Sequence, residues 1–391
     1  RGNASPAQAR GKASTIEEMR IVRVNLGDGR QVREFLDLPS FLYRNCPQWV
    51  PPLEIDARAM LDRRRHPFYR HSDAAFFLAY GDSSRAAGRI AVLENRHYNE
   101  FTRERTAFFY LFECENDYEI SKRLFDAAAE WSRARGLNRL WGPKGFTALD
   151  GMGLLVRGFE HRPALGIPYN FPYYPQLVED SGFHGTADVV SGYLSGKAQL
   201  PGNIHRVAEL VQRKRGLRVL TFHSRRDLAK VVPRLQKLYN DSLAGTTGNA
   251  PLTNDEARMM ANQILWFADP RLIKLIAKGD DLVGFVFAYP DISAALQRTR
   301  GRLFPFGWID LLLELRRTKW VNLNGAGIVG KYRGLGGTAL LFDEMAKSLH
   351  AASFDHADIV QVGVENDKMQ RELRDLGIDF YKTHRMYEKV L

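Results

Sequence analysis

Gly325-Ala-Gly-Ile-Val-Gly-Lys-Tyr-Arg-Gly-Leu-Gly-Gly-Thr338 stands between an apolar run that reads as a strand, 320–329, and a segment with Leu341, Met345 and Leu349 at helical spacing. A strand-to-helix junction of this kind is a natural anion site. The first backbone N–H groups of a helix lack internal partners, the helix dipole favours negative charge, and glycines let the backbone approach a phosphate. Gly325-x-Gly327-x-x-Gly330 has the spacing of a dinucleotide-binding turn, but no helical pattern opens there, and no later strand ends in an acidic residue where a ribose needs one. Gly325-x-x-x-x-Gly330-Lys331 has the outline of a P-loop, yet Tyr332 occupies the place of the Ser or Thr that would hold Mg²⁺. A tight turn without any ligand is the plain alternative.

Outward from this loop, the second half reads as a strand near 219–222, helices near 228–243 and 255–267, and a strand hairpin 272–277 and 282–289 turning at Gly279-Asp280-Asp281. An insertion runs to Lys319, and beyond the loop helix come a strand 359–364, a helix 367–376 and a strand 380–390. Much the same order occupies the first half. A strand at 20–24 and a helix near 32–43 precede strands 74–80 and 88–94, joined by a turn at 81–84, and a third strand at 107–112. A helix carrying Ile120, Leu124, Ala127, Ala128 and Trp131 ends at Gly136, and a strand 137–141, a Gly/Pro-rich stretch 142–172, a short helix and a strand 189–194 follow. Two α/β units of like plan suggest a duplication. The expected division is a flexible lead-in at 1–17, a first domain at 18–200 and a second at 201–391.

The bulk properties narrow the function classes. With 391 residues, 45% apolar and 26% charged, the chain has the make-up of a globular protein of about two domains. Cys46 and Cys114 lie far apart in sequence, which argues against a disulfide framework, an iron–sulfur cluster or a thiolate zinc site and suits a reducing, cytoplasmic setting. The net charge of +11 favours anionic partners without choosing among them. Basic residues are scattered apart from runs such as Arg63-Arg64-Arg65 and Arg213-Lys214-Arg215, so a nucleic-acid partner is not expected. No run approaches the roughly 20 apolar residues of a membrane span, and 1–15 lack the apolar core of a secretory signal.

Arg333-Gly334-Leu335-Gly336-Gly337-Thr338 resembles the Q/R-x-x-G-x-G/A loop of the GNAT acyltransferase superfamily, with Thr338 in place of the final Gly or Ala. In that family, consecutive amides at the start of the helix bind the coenzyme A pyrophosphate. The resemblance covers nearly all of 219–391, and the first half is similar to a diverged copy. That copy has Glu113-Cys-Glu-Asn-Asp117 in place of the loop, three carboxylates that would repel a pyrophosphate. The resemblance thus implies an α/β (α+β) fold of two tandem GNAT-like domains, each a mixed, mostly antiparallel sheet flanked by helices, with one coenzyme site. It implies acetyl-CoA or acyl-CoA as co-substrate and no tightly bound cofactor or metal. Coenzyme contacts fall on Ile328, Val329, Arg333, Gly334, Leu335, Gly336, Gly337, Thr338 and Asn366.

The family moves an acyl group from a thioester directly to an amine. Its frequent thiolate acid, a Tyr four residues before the glycine that ends the later helix, is Leu373 here, so Tyr381 and His384 are the substitute acids and Glu365 a candidate base. The whole chain also resembles long two-domain bacterial members that include ceramide synthase-like N-acyltransferases, through Trp49-Val-Pro-Pro52, Gly301-Arg-Leu-Phe-Pro-Phe-Gly307 and Tyr381-Lys-Thr-His-Arg-Met-Tyr-Glu388. An amino-lipid acceptor fits that resemblance. Residues 302–320 are apolar and aromatic with a basic end, which suits contact with the inner membrane face; a helix packing the two domains together suits it too. The alternative to an enzyme is a non-catalytic acyl-CoA-binding or interaction protein on a degenerate GNAT fold.

Overall fold

A computed structural model describes residues 19–81, 85–243, 246 and 248–391. The lead-in at 1–17 and most of the turn at 81–84 lie outside them. Among the described residues, thirteen strands form one continuous sheet: β1 (Arg20–Arg23), β2 (Asp73–Tyr80), β3 (Ala86–Glu94), β4 (Thr106–Cys114), β5 (Arg139–Gly142), β6 (Leu154–Arg157), β7 (His184–Ser195), β8 (Leu217–Leu220), β9 (Ile273–Lys278), β10 (Asp281–Pro290), β11 (Trp320–Ile328), β12 (His356–Gly363) and β13 (Asp379–Val390). The helices are α1 (Gly29–Leu42), α2 (Glu54–Leu61), α3 (Arg96–Thr102), α4 (Tyr118–Arg133), α5 (Tyr174–Asp180), α6 (Gly202–Arg215), α7 (Arg225–Leu243), α8 (Asn254–Phe267), α9 (Ser293–Thr299), α10 (Gly307–Arg317), α11 (Gly337–Ala351) and α12 (Asp367–Asp375).

Local chemistry sets the helix starts. Asp28 accepts from the backbone N–H of Arg30 and Gln31 to open α1, and Thr253 with Glu256 forms a capping box that opens α8. Strands β2 and β3 read as continuous apolar runs because their two faces feed two separate cores: Ala75, Phe77 and Ile90 pack on α4, and Phe76, Leu78 and Ala91 pack with Phe35 of α1.

The strand order is β1-β2-β3-β4-β5-β13-β7-β12-β11-β10-β9-β8. Each half therefore gives its final strand to the other. β13 lies antiparallel between β5 and β7, and β7 lies antiparallel between β13 and β12. Sequence pattern alone did not reveal this exchange. It joins the two expected sheets into one and makes the β7–β13 seam the centre of the molecule.

Within each half, one parallel pair opens and then parts. β4 pairs β5 only over Thr106–Phe108, and β11 pairs β12 only over Trp320–Leu323. Beyond those points the strands splay. Five residues on from the start of each parallel pairing sits a backbone in the left-handed region, Leu111 at φ 49° and Gly325 at φ 101°. The ladder on the far side shifts register nearby in both halves, between Arg89 and Ala91 and between Val286 and Ala288. A bulge of this kind re-aims backbone groups at a site.

The insertion between β10 and β11 forms α9 and α10 and clasps the first half. Gln297 Nε2 donates to the carbonyls of Pro47 and Trp49, at 2.7 and 2.9 Å, and the Glu54 N–H donates to Gly301 O. A Cβ on Gly301, where φ is 73°, would come within 2.1 Å of Pro52 O. Trp49-Val-Pro-Pro52 and the 301–307 segment, far apart in sequence, thus meet in one contact.

Candidate functional site

β11 leads through a short 3₁₀ turn at Gly330–Tyr332 into α11, which begins at Gly337. Gly325 and Gly327 lie within the strand, so no helix opens where a dinucleotide fingerprint needs one. The helix start belongs to the second glycine set. Gly334 and Gly336 take φ of 77° and 82°, a conformation that glycine adopts without strain. Gly336 is the cap of α11, and among the described residues no side chain accepts from the first amides of the helix.

The equivalent place in the first half is built in the opposite way. Asp117 caps α4, its carboxylate accepting from the N–H of Glu119 and Ile120, and Glu119 adds a second negative charge to the first turn. One helix start is already occupied by carboxylate and the other offers its amides. That contrast follows directly from Glu113–Asp117 against Arg333–Thr338.

The loop is braced from within. Arg333 donates from Nε to Ile328 O at 3.0 Å and from Nη2 to Ser242 O at 2.8 Å, so its side chain ties the loop to β11 and to the end of α7. The Val329 N–H donates to Val283 O on β10. Hydrogen bonds alternate along an antiparallel ladder, which directs the N–H of Ile328 away from β10 and toward the splay. Leu335 and Thr338 are half-buried. Asn366 caps α12, accepting from the Met369 N–H at 3.2 Å. The buried Ser242 Oγ, whose Cβ packs beside Gly327, has no hydrogen-bond partner among the described residues. Uncapped amides, left-handed glycines and this orphaned hydroxyl suit a long phosphate-bearing ligand lying along β11.

The acid–base candidates stand elsewhere. Tyr381 and His384 lie on the exchanged strand β13, at the seam between the halves. The Tyr381 hydroxyl donates to Asp358 Oδ2 at 3.0 Å, and Lys382 Nζ donates to the same oxygen at 2.6 Å. Lys382 is fully buried. Burial lifts the Asp358 carboxyl above its usual range, with Lys382 opposing, and lowers the Lys382 ammonium. Burial, with the Asp358 carboxylate adding to it, raises the Tyr381 phenol well above 10. His384 Nε2 donates to Pro168 O at 3.0 Å, and burial lowers its pKa to about 4. Glu365 is exposed just past β12, its carboxyl close over Gly363.

A chamber of about 690 Å³ opens between the halves. Its walls are the splayed part of β4, the 49–58 segment and α2 from the first half, and α8, the end of β10, and α9 from the second. It reaches Asn324, the first residue of β11 past the parallel pairing, whose Nδ2 donates to the hydroxyl of Tyr289 at 2.9 Å. Arg58, Arg300, Arg302, the exposed Ile55 and the exposed Trp266 also line it. The lining comes from about ten separate segments, and for that reason sequence reading missed both the chamber and Tyr289. Among the described residues, no group of three or more His, Cys, Asp or Glu side chains could hold a metal ion.

The fold is that of the tandem GNAT proteins: two halves of one plan, a splayed fourth and fifth strand in each, and the glycine loop in the second. A tandem GNAT protein from the clavulanic acid biosynthesis pathway superposes with a TM-score of 0.56 at 12% identity, over 95% of this chain and 98% of that one. In sequence, the chain is similar to the bacterial ceramide synthase of Caulobacter vibrioides (strain NA1000 / CB15N), 28% identical over 92% of this chain and 95% of the relative. It is likewise similar to protein YghO of Escherichia coli (strain K12), 25% identical over 92% of this chain and 93% of the relative. No family model matches the chain.

Proposed function

We propose that the protein is an acyl-CoA-dependent N-acyltransferase that moves an acetyl or longer acyl group to the primary amine of a lipid. The single observation that carries this reading is the contrast between the two helix starts, α11 with free amides and α4 with Asp117 already in place. The coenzyme pyrophosphate takes the amides of Gly336, Gly337 and Thr338 within the loop 333–338, and the pantetheine follows Ile328 and Val329, with Asn366 ordering the start of α12 across the splay. A relative named a ceramide synthase and a large, mainly apolar chamber reaching Asn324 support a lipid acceptor.

In the reaction, the neutral amine attacks the thioester carbonyl and a tetrahedral oxyanion forms. It collapses by expelling the coenzyme thiolate; the nitrogen gives up a proton and the thiolate takes one. Glu365, Tyr381 and His384 are the acid–base candidates carried by sequence. Tyr289 joins them, because its hydroxyl lies beside Asn324 where the chamber meets the splay. The test is turnover of radiolabelled acetyl-CoA and palmitoyl-CoA with long-chain amines on the purified protein. Amide formation with release of free thiol supports the reading; coenzyme binding without turnover on any amine favours the non-catalytic alternative.

Membrane contact is the second part of the proposal. Phe304 and Phe306 are 81% and 73% exposed, and on α10 Trp308, Ile309, Leu312 and Leu313 form one outward stripe beside Arg316. The opposite stripe, Leu311 and Leu315, packs inward, and Arg298 holds Asp310 and Glu314 on the flank. An outward apolar face flanked by basic residues suits peripheral docking on an anionic bilayer. Among the described residues, no helix is long and apolar enough to cross a membrane. Trp308→Glu with Leu312→Glu should abolish co-sedimentation with vesicles containing anionic lipid while leaving acetyl-CoA binding intact.

A further inference from the structure

The first half has lost the phosphate loop but kept the rest of the cleft. Its strands β4 and β5 part after Phe108 as β11 and β12 part after Leu323, and its bulge is present with a leucine in the left-handed region. That conformation is strained for a residue with a side chain. Strain of this sort persists where the surroundings use it. Leu111 lines the chamber, together with Tyr110, Phe112, Leu149 and Leu154. The part of the first half that corresponds to the coenzyme cleft is therefore an apolar compartment open to the chamber.

Its floor is polar and incompletely paired. Glu113 and Arg89 both line the chamber, where the corresponding second-half ladder pairs Gly327 with Phe285. Glu113 Oε2 accepts from the hydroxyls of Tyr43 and Tyr174, at 2.7 and 2.9 Å. Arg89 Nη1 donates to Phe35 O at 2.6 Å, and its Nε is buried without a hydrogen-bond partner among the described residues. Arg89 Nη2 and Glu113 Oε1 stand 3.8 Å apart, beyond a hydrogen bond. Arg89 is buried and Glu113 is partly buried, with side chains 7% and 13% exposed, and their charges cancel to first order. A carboxylate brought between them meets Glu113, and an ammonium meets Arg89. A hydroxyl accepts from Arg89 and donates to Glu113.

We infer that the first-half cleft is a second binding site, for a single-chain lipid whose hydroxyl group bridges Arg89 and Glu113 while its hydrocarbon lies in the chamber. As part of acyl transfer this site rests on the proposed activity, since it would seat a chain that continues toward Asn324; as a binding site it stands without it.

The test is calorimetry of the full chain with 1-hexadecanol, palmitate and hexadecyl methyl ether, which can accept from Arg89 but has no proton to give Glu113, each delivered from the same carrier. Hexadecanol should bind at one equivalent and at least tenfold tighter than either palmitate or the ether. The paired variant Arg89→Met/Glu113→Gln, which leaves no unpaired buried charge, should weaken hexadecanol at least tenfold. Leu149→Trp, which narrows the compartment without touching the pair, should weaken all three. Thr338→Asp, aimed at the coenzyme loop, should leave hexadecanol binding unchanged. Equal affinity for the three chains, no saturable binding, or hexadecanol affinity lost with Thr338→Asp and kept in the paired variant would each overturn the inference. Hexadecanol binding by a wild-type protein that binds no coenzyme would instead count against the proposed activity alone.

Discussion

Thr338 provides the sharpest test of the loop, because a charge placed there acts oppositely on helix and ligand. Thr338 follows Gly336 and Gly337 at the start of α11 and is half-buried. An aspartate in the first turn of a helix is stabilising by about 0.3–1 kcal/mol, so Thr338→Asp should melt at or slightly above the wild-type temperature. Toward a pyrophosphate the same charge is repulsive. Two like charges about 4 Å apart repel by about 4 kcal/mol at an effective dielectric near 20 and about 1 kcal/mol in bulk water. A half-buried site lies between these limits, which for a pyrophosphate gives about 2–4 kcal/mol, or roughly 30- to 700-fold in affinity. Thr338→Asn, of the same shape as aspartate without the charge, should bind CoA within about threefold of wild type. Calorimetry with CoA at low salt reads the affinities, and repetition near 1 M salt should shrink the aspartate penalty as the screening length falls to about 3 Å. Equal CoA affinity in the aspartate and asparagine variants would refute the placement of a phosphate on α11.

Three further outcomes follow from the seam and the clasp. His384 is held neutral with a pKa of about 4 against an ordinary 6.5, so between those values the unfolded chain binds more protons than the folded one; stability present above pH 6.5 is lost as pH falls toward 4. His384→Gln can still donate to Pro168 O and should flatten the denaturant-unfolding profile over that window by about 3 kcal/mol; an unchanged slope would show that another group sets it. Lys382→Met leaves Asp358 buried and unpaired and should cost about 3–5 kcal/mol, whereas adding Asp358→Leu should recover much of that loss; additive losses would contradict a coupled pair. Gly301→Ala combines a positive φ with a collision against Pro52 O and should cost about 2–4 kcal/mol, read as a lower melting temperature and faster proteolysis between α9 and α10.

What was legible in the sequence divides by the range of the interaction that decides it. The strands, the amphipathic helices and the duplicated order depend on local periodicity, and the loop depends on glycines within fourteen residues. β6, four residues inside a Gly/Pro-rich stretch, was missed because Leu154–Arg157 has no period of its own and becomes a strand only by pairing with β13. The exchange of β7 and β13 was out of reach for a different reason: both are amphipathic strands with nothing in their sequence to say which fifth strand they join. Tyr381 and His384 drew attention as reactive side chains, but their partners Asp358 and Pro168 are 23 and 216 residues away. Arg333 is legible by its place in the motif, but the bracing of the loop by its nitrogens against Ile328 O and Ser242 O is not, because Ser242 lies 91 residues away.

The strand exchange also sets a schedule for synthesis. When the first half has left the ribosome, the slot between β5 and β7 is still empty, and it stays so until residues 379–390 have been made. Domains of a growing chain tend to fold as they emerge, and an unpaired strand edge recruits other chains. For about half the time of its own translation, this first half must therefore hold two facing edges open without filling them from a neighbour. Truncation at residue 378 would remove the middle of the sheet and not a tail. Two copies stalled at that stage offer each other matching open edges, and expression of a chain ending at residue 378 should yield aggregates under conditions where the full chain stays in solution.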